Sequence, residues 1–335
     1  MCNFACKEVF HMWEKAQIRL NNGESPKAVF DYVYICRNGL TEVELNGKHN
    51  FINDNGEIIS PSLGFDEVGY FYNDFAQVKV NGKYNFINTS GHLRFNQWFD
   101  YIQEFYEGIA VVKLDRKWNY IDKDGNTLCT EWFDEADSVE DGLARVKLNG
   151  KYNFIDSKGR IVSKQWFSDA RSCCNGFAPV ELNGKWNFIN RDGQIMFANQ
   201  WFDRAYPFYH EYSKVVLNGK INIVNSDAEI ISPNQWFDYI NDFEEGFAVV
   251  VLNNKQNFIN NDGKLLSKQW FDEASYFQDG VGGVSLNNKW NFIDSNGRLL
   301  SNQWFDELYY FEDGFAKVKL NGKDGKIDRC GKLYI

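Results

Sequence analysis

Ala144-Arg145-Val146-Lys147-Leu148-Asn149-Gly150-Lys151-Tyr152-Asn153-Phe154-Ile155 alternates small or apolar residues with charged ones, meets Asn-Gly, and returns on a second apolar stretch. Alternation with period two marks a half-buried strand. Asn-Gly supplies the two positive-φ residues of a tight hairpin turn. The segment therefore reads as a β-hairpin. A polar glycine turn follows, Asp156-Ser157-Lys158-Gly159, then a third apolar stretch running from Ile161-Val162 into Gln165-Trp166-Phe167.

The arrangement recurs along the chain. Turn tripeptides equivalent to Asn149-Gly150-Lys151 begin at Asn46, Asn81, Asp115, Asn149, Asn183, Asn218, Asn253, Asn287 and Asn321, in steps of 34 or 35 residues. The Phe that opens an aromatic-acid pair recurs in the same steps, at Phe30, Phe65, Phe99, Phe133, Phe167, Phe202, Phe237, Phe271 and Phe305. Two landmarks in one register define an all-β array of about nine three-stranded units over 25–335. We expect the units to stack as an open twisted solenoid. A closed propeller-like ring is the alternative, although propeller blades carry four strands and run to about 40 residues or more.

Residues 1–24 stand outside the repeat. Phe10, Trp13, Ala16-Gln17 and Leu20 lie near helical spacing and Asn22-Gly23 ends the run, which predicts a short N-terminal helical cap over the first open edge. The last hairpin, with Asp324, Gly325 and Lys326 where other units carry aromatics, reads as a polar C-terminal cap.

A two-residue loop places residue 147 opposite 152, and its equivalents pair Glu44 with His49, Lys79 with Tyr84, Lys113 with Trp118, Glu181 with Trp186, Val216 with Ile221 and Lys319 with Asp324. An Ile meets a Val and an Asp meets a Lys, as directly opposed residues should. Arg116 is the awkward turn residue, because a Cβ at positive φ is unfavourable. On the hairpin's other face, Asn119, Asn153, Asn187 and Asn291, with Asn50, Asn85, Asn222 and Asn257, interrupt an apolar surface. A buried amide is costly unless hydrogen-bonded, so each is expected to bond the backbone of its own or the adjacent unit. Trp98, Trp132, Trp166, Trp201, Trp236, Trp270 and Trp304 recur after Gln or Glu at one uniform slot and read as structural core residues. The slot before the Asn instead holds His49, Tyr84, Trp118, Tyr152, Trp186, Ile221, Gln256, Trp290 and Asp324. Tolerance of Gln and Asp implies partial exposure, which makes Trp118, Tyr152, Trp186 and Trp290 the candidate binding residues.

The 36 Lys+Arg against 46 Asp+Glu give a net charge of −10, with the cations thinly spread. That argues against nucleic acid as a partner, since phosphate contacts need clustered Lys and Arg. No apolar run approaches the roughly 20 residues of a membrane span. The stretch Met1-Cys2-Asn3-Phe4-Ala5-Cys6-Lys7-Glu8 has neither a basic n-region nor an apolar h-region, so a soluble, cytoplasmic protein is expected.

Catalytic chemistry needs pattern-breaking residues that converge, and none is apparent. The seven cysteines are odd in number and irregular in place, which does not suggest a disulfide framework. Cys2, Cys6 and His11 fall short of the four ligands of a zinc site. Cys173-Cys174 reads as a pair of loop thiols with nothing nearby to activate them, while Cys36, Cys129 and Cys330 fill repeat slots. Of the remaining histidines, His49 fills the variable slot, His92 a turn and His210 a loop. The turns Asp122-Lys123-Asp124-Gly125 and Asn190-Arg191-Asp192-Gly193 lack the spacing and bidentate Glu of an EF-hand. The acids of the aromatic-acid pairs, such as Asp100, Asp134 and Asp238, are expected to cap a turn or accept backbone bonds, with Ser168 the exception. No phosphate loop, nucleophile elbow or dinucleotide fingerprint appears, and no place is evident where several repeats diverge together. We expect no enzyme, no cofactor and no bound metal.

At Lys117-Trp118-Asn119-Tyr120-Ile121-Asp122, Lys185-Trp186-Asn187-Phe188-Ile189-Asn190 and Lys289-Trp290-Asn291-Phe292-Ile293-Asp294 the unit resembles the bacterial WG-repeat family. That family's pattern of Gly-Lys-Trp-Gly-aromatic-Ile-Asp, a glycine turn, an aromatic-Asp pair and Phe-x-Glu/Asp-Gly-Leu-Ala-x-Val is matched further by Trp132-Phe133-Asp134 and Glu245-Gly246-Phe247-Ala248-Val249. The departure is consistent: the Gly of Trp-Gly is Asn in eight units. Choline-binding repeats are a weaker likeness, with shorter units. The resemblance implies a tandem β-repeat with no common catalytic activity and a binding role. The expected function is a non-enzymatic scaffold mediating protein–protein interaction, with another protein as partner. The alternative is a glycan- or cell-wall-binding module using exposed aromatic side chains.

Overall fold

The computed structural model describes residues 3–34, 39–72, 74–106 and 108–335, with side chains from residue 12 onward. The expectations placed on Cys2, Cys36 and the side chains of Cys6, Phe10 and His11 lie outside the described residues. The chain divides into two compact units, 1–166 and 167–335. Among the described residues the first holds four antiparallel sheets and the second five, formed one after another along the sequence.

One sheet shows how a repeat folds. Leu143–Leu148 pairs with Lys151–Asp156, and Lys147 lies opposite Tyr152 as the two-residue loop requires. Asn149 and Gly150 take φ of 51° and 76°, a region that Gly enters at no steric cost. The same register pairs Lys79 with Tyr84, Lys113 with Trp118, Glu181 with Trp186 and Val216 with Ile221. Even Arg116 holds the turn, at φ 68°.

The third strand differs from the one the apolar pattern suggests. Ile161 makes a single bridge to Ile155. The sheet is completed instead by the two residues after the aromatic-acid pair, Glu135–Ala136, which lie opposite Lys147 and Val146. The apolar run is occupied elsewhere: Thr127 bridges Ile121, and Phe133 bridges Trp118, both in the preceding hairpin. Each run thus clasps the hairpin it leaves and then starts the next sheet.

That clasp settles which aromatic enters the core. Phe99, Phe133, Phe167, Phe202, Phe237, Phe271 and Phe305 are all at most 2% exposed. The tryptophans immediately before them are half-buried, and Trp132, Trp166, Trp236, Trp270 and Trp304 pack on the flanks of clusters they do not fill. Neighbouring residues of an extended segment point to opposite sides, so the Phe takes the interior and the Trp is left at its edge.

The recurring Asn is fully buried in all eight units. Asn153 Nδ2 donates to the carbonyls of Ser163 at 2.9 Å and Gln165 at 3.1 Å, and its Oδ1 accepts the Phe154 N–H at 2.8 Å. Asn119 repeats the pattern on Cys129, Glu131 and Tyr120, Asn187 on Phe197, Gln200 and Phe188, and Asn291 on Ser301, Gln303 and Phe292. The amide therefore pins the run that leaves each hairpin.

The helix Asn3–Asn21 packs on the first sheet. Trp13, fully buried, and Ala16 join Val29, Phe30, Val43, Ile52 and Ile58 in one cluster. Gln17 accepts the Ile58 N–H at 2.6 Å and donates to the Gly56 carbonyl at 3.3 Å, meeting polar backbone that the helix covers. At the other terminus Leu333–Tyr334 adds a fourth strand to the last sheet. There the Asn is replaced by Gly325, where a Cβ would lie 2.8 Å from the Tyr334 carbonyl oxygen.

Replacing Asn153 by Leu strands two carbonyls and an N–H, and should cost about 3 kcal/mol, given roughly 1–3 kcal/mol for each buried group left unpaired. Denaturant unfolding checks this, and an unchanged midpoint would refute the bracing role. Trp13→Ala should cost a similar amount, about 3–5 kcal/mol by large-to-small core precedent.

Candidate functional site

The acids of the aromatic-acid pairs are consumed by the scaffold. Asp134 Oδ2 accepts the Asn149 N–H at 2.7 Å, bracing its own hairpin turn, while Oδ1 takes the ammonium of Lys117 from the preceding hairpin. Asp66 with Lys48, Asp100 with Lys83, Asp203 with Lys185, Asp238 with Lys220, Asp272 with Lys255 and Asp306 with Lys289 repeat the clamp. The lysine hydrogen bond, aided by the turn N–H, holds the carboxyls of Asp100, Asp134, Asp203, Asp238, Asp272 and Asp306 below the usual carboxylate range. Ser168 breaks the series, and in its unit Glu181 accepts the turn N–H of Gly184 at 2.9 Å.

The four candidate binding aromatics do not form one site. Trp118 and Tyr152 belong to the first unit, Trp186 and Trp290 to the second, and each sits half-buried on its own sheet. Cations cover three of them: Lys113 Nζ lies 4.8 Å from the Trp118 ring centre, Lys147 Nζ 5.0 Å from Tyr152 and the Arg171 guanidinium 4.9 Å from Trp186. Such contacts add about 0.5–1 kcal/mol at an exposed site. Trp290 lines a small cleft instead.

Among the described residues the exposed Phe, Tyr and Trp side chains are tyrosines, apart from Phe315. Tyr70, Tyr72, Tyr106 and Tyr209 are 62–76% exposed. Tyr239, Tyr276, Tyr309 and Tyr310 are about half exposed. These residues lie between the aromatic-acid pair and the next hairpin, in stretches such as Gly69-Tyr70-Phe71-Tyr72 and Tyr206-Pro207-Phe208-Tyr209. In these stretches Phe208 (4%) and Phe277 (2%) are buried while the tyrosines stay outside.

Within each unit most of these tyrosines border clefts between one sheet and the next. In the first unit Gly69, Tyr70, Tyr72, Phe86, Arg94 and Phe105 line a cleft of 310 Å³. In the second, Tyr276, Trp290, Phe292, Tyr309 and Tyr310 line one of 150 Å³. Also in the second, Tyr206, Tyr209, Tyr212, Ile221, Ile223, Tyr239 and Phe243 line one of 640 Å³. Tyr212 and Phe243 meet there with ring centres 5.1 Å apart. Lys214 and Asp242 close an ion pair of 2.7 Å. In the sequence, several repeats diverging together would mark a pocket; in this cleft the departure lies on one hairpin, at Ile221 and Ile223. The signal was available in Ile221-Asn222-Ile223, which stands where most other units pair an Asn with aromatic neighbours.

The remaining polar candidates are engaged locally. His49 Nδ1 lies 2.8 Å from Glu42 Oε1, and the His210 ring packs edge-on at 4.4 Å from Tyr209. Asp122 Oδ1 accepts the N–H groups of Asp124 and Asn126, each at 2.9 Å, as a turn former does. Among the described residues no group of three or more His, Cys, Asp or Glu could hold a metal ion. Cys173 is not an exposed loop thiol: it is 3% exposed, in the slot that Phe208 and Phe277 fill elsewhere. No helix among the described residues is long and apolar enough to cross a membrane.

The sequence model described as WG containing repeat matches residues 51–84, 86–118, 120–152, 154–186, 224–255, 258–290 and 292–323, passing over 187–223. No curated protein matches the chain. Among solved structures, one described as the eukaryotic initiation factor is 12% identical over 83% of this chain and 88% of its own, with a TM-score of 0.34. Kluyveromyces lactis Hsv2p is 11% identical over 70% and 95%, at a TM-score of 0.29. Apo AztD from Citrobacter koseri is 9% identical over 86% and 90%, at a TM-score of 0.30. Likeness this low carries no argument about arrangement or role.

A carboxyl whose folded pKa is depressed stabilises the fold above its unfolded value, and that contribution is lost as pH falls through the folded one. The melting temperature should therefore hold at neutral pH and fall below about pH 4, the usual aspartate range. Asp134→Asn should lower it at pH 7 and shrink the acid-induced drop. A melting series over pH with the variant's drop unchanged would refute the clamp.

Proposed function

The chain belongs to the WG containing repeat family, and from that premise we propose that it is a non-enzymatic scaffold that binds another protein through its exposed tyrosines. The carrying observation is where these rings sit: Tyr70, Tyr72, Tyr106 and Tyr209 stand outside the core while the repeat's acids are spent on turns and lysines. Tyrosine is enriched at protein interfaces because it offers a large rigid contact area with a polar tip. We place the protein in the cytoplasm and the sheets in an open twisted stack. The 34–35-residue period and three-stranded units support that stack over a ring of four-stranded blades. Small-angle scattering separates an elongated particle from a compact ring.

A glycan-binding role is the second reading, favoured by Tyr276 and Tyr310, whose rings stack at 5.6 Å with 21° between planes. Affinity purification from the native host should recover a stoichiometric partner that Tyr70→Ser/Tyr72→Ser loses by about tenfold or more, the scale of a hot-spot pair. A glycan array bound by the wild type and lost with Tyr276→Ser would instead support the second reading.

A further inference from the structure

Three clefts occupy one structural slot, each bordered by the hairpin's second strand. With Trp290 and Phe292 there, the cleft is 150 Å³. With Phe86 there it is 310 Å³, and with Ile221 and Ile223 it is 640 Å³. Every other unit before the last hairpin carries Phe or Tyr where Ile223 stands. Two rings that most copies supply from their own chain are thus missing here. The family model also leaves this stretch unmatched.

Nothing on the sheet has collapsed into the space. Ile221 still lies opposite Val216, and Asn222 still bonds the carbonyls of Ser232 and Gln235 at 2.7 and 3.0 Å. The cleft keeps ring walls from both sheets: Tyr206, Tyr209 and Tyr212 on one side, Tyr239 and Phe243 on the other. Its volume lies within the roughly 300–1,000 Å³ of small-molecule sites, and its lining is apolar with a few polar groups, Asn241 and the Lys214–Asp242 pair among them.

We propose that this cleft binds a small planar aromatic molecule, of about two fused rings, seated where the other repeats place their own indole and phenyl groups. The proposal does not rest on the scaffold reading: Tyr209 is shared by the two, but the observation here is Ile221 and Ile223 in place of rings.

Calorimetric titration of the full chain with 2-naphthol tests it. The wild type should bind one equivalent saturably. Ile221→Trp/Ile223→Phe, which restores the common pattern and fills the cleft, should bind about tenfold or more weakly while melting no lower. Should that variant fail to fold, Ile221→Trp alone and Tyr239→Ala each remove part of the site. Decahydro-2-naphthol, similar in size but without aromatic faces, should bind several-fold more weakly. The proposal is overturned if 2-naphthol does not bind, if it binds the filled variant as well as the wild type, or if the saturated analogue binds equally. Tighter binding of the peptide Gly-Trp-Gly would overturn the assignment to a free small molecule and return the cleft to partner recognition.

Discussion

The fold depends on an amide that is fully buried and fully bonded. A two-stranded hairpin is marginal by itself and the third strand of the sheet holding Asn153 is only two residues long, while the run leaving each hairpin is irregular chain whose carbonyls need partners. Asn153 answers both needs with three bonds, to Ser163, Gln165 and Phe154. In a low-dielectric interior such bonds are strong and their absence is costly. The Gly of the family's usual pattern permits close backbone approach, and this chain uses it once, at Gly325, where Leu333–Tyr334 lies alongside as a strand. Elsewhere the amide fills the space and bonds the neighbouring backbone.

The aspartate–lysine clamp adds a second tie, outside the core. Each acid from Asp66 onward joins its own turn to the lysine of the hairpin before it, so within each unit successive sheets are linked once by a buried amide and once by a charged surface pair. Exposed ion pairs alone contribute little; the turn N–H bond gives this one a geometric role. With order maintained by these residues, the strand before the hairpin is left to vary, and there the tyrosines and the clefts are found.

Much of this was readable in the sequence because it is periodic. The Asn-Gly turns give the hairpin register, and an Asn on an apolar face demands backbone partners. The third strand was not, since Ile161-Val162 and Glu135–Ala136 differ in apolarity in the wrong direction: the apolar run is a clasp and the polar pair is the strand. The tryptophans pack against the core clusters, but from the edge. Uniformity at Trp132 or Trp270 reflects a fixed position at the edge of the core, and it is the following Phe that is buried. The clefts were missed because the relevant residues lie on two sheets about 35 positions apart, so a pair such as Tyr206 and Phe243 meets only once the chain is folded.

The amide latch spans only ten to thirteen residues of chain, from Asn153 to Ser163 or from Asn50 to Leu63. Hairpin pairing is shorter still. A protein this rich in sheet would ordinarily fold slowly because its strands must find distant partners, but here nearly every pairing is local. Order can therefore begin in any repeat and spread outward, each new hairpin docking on a neighbour already formed. The loop-closure entropy is met in small, equal steps rather than in one large one.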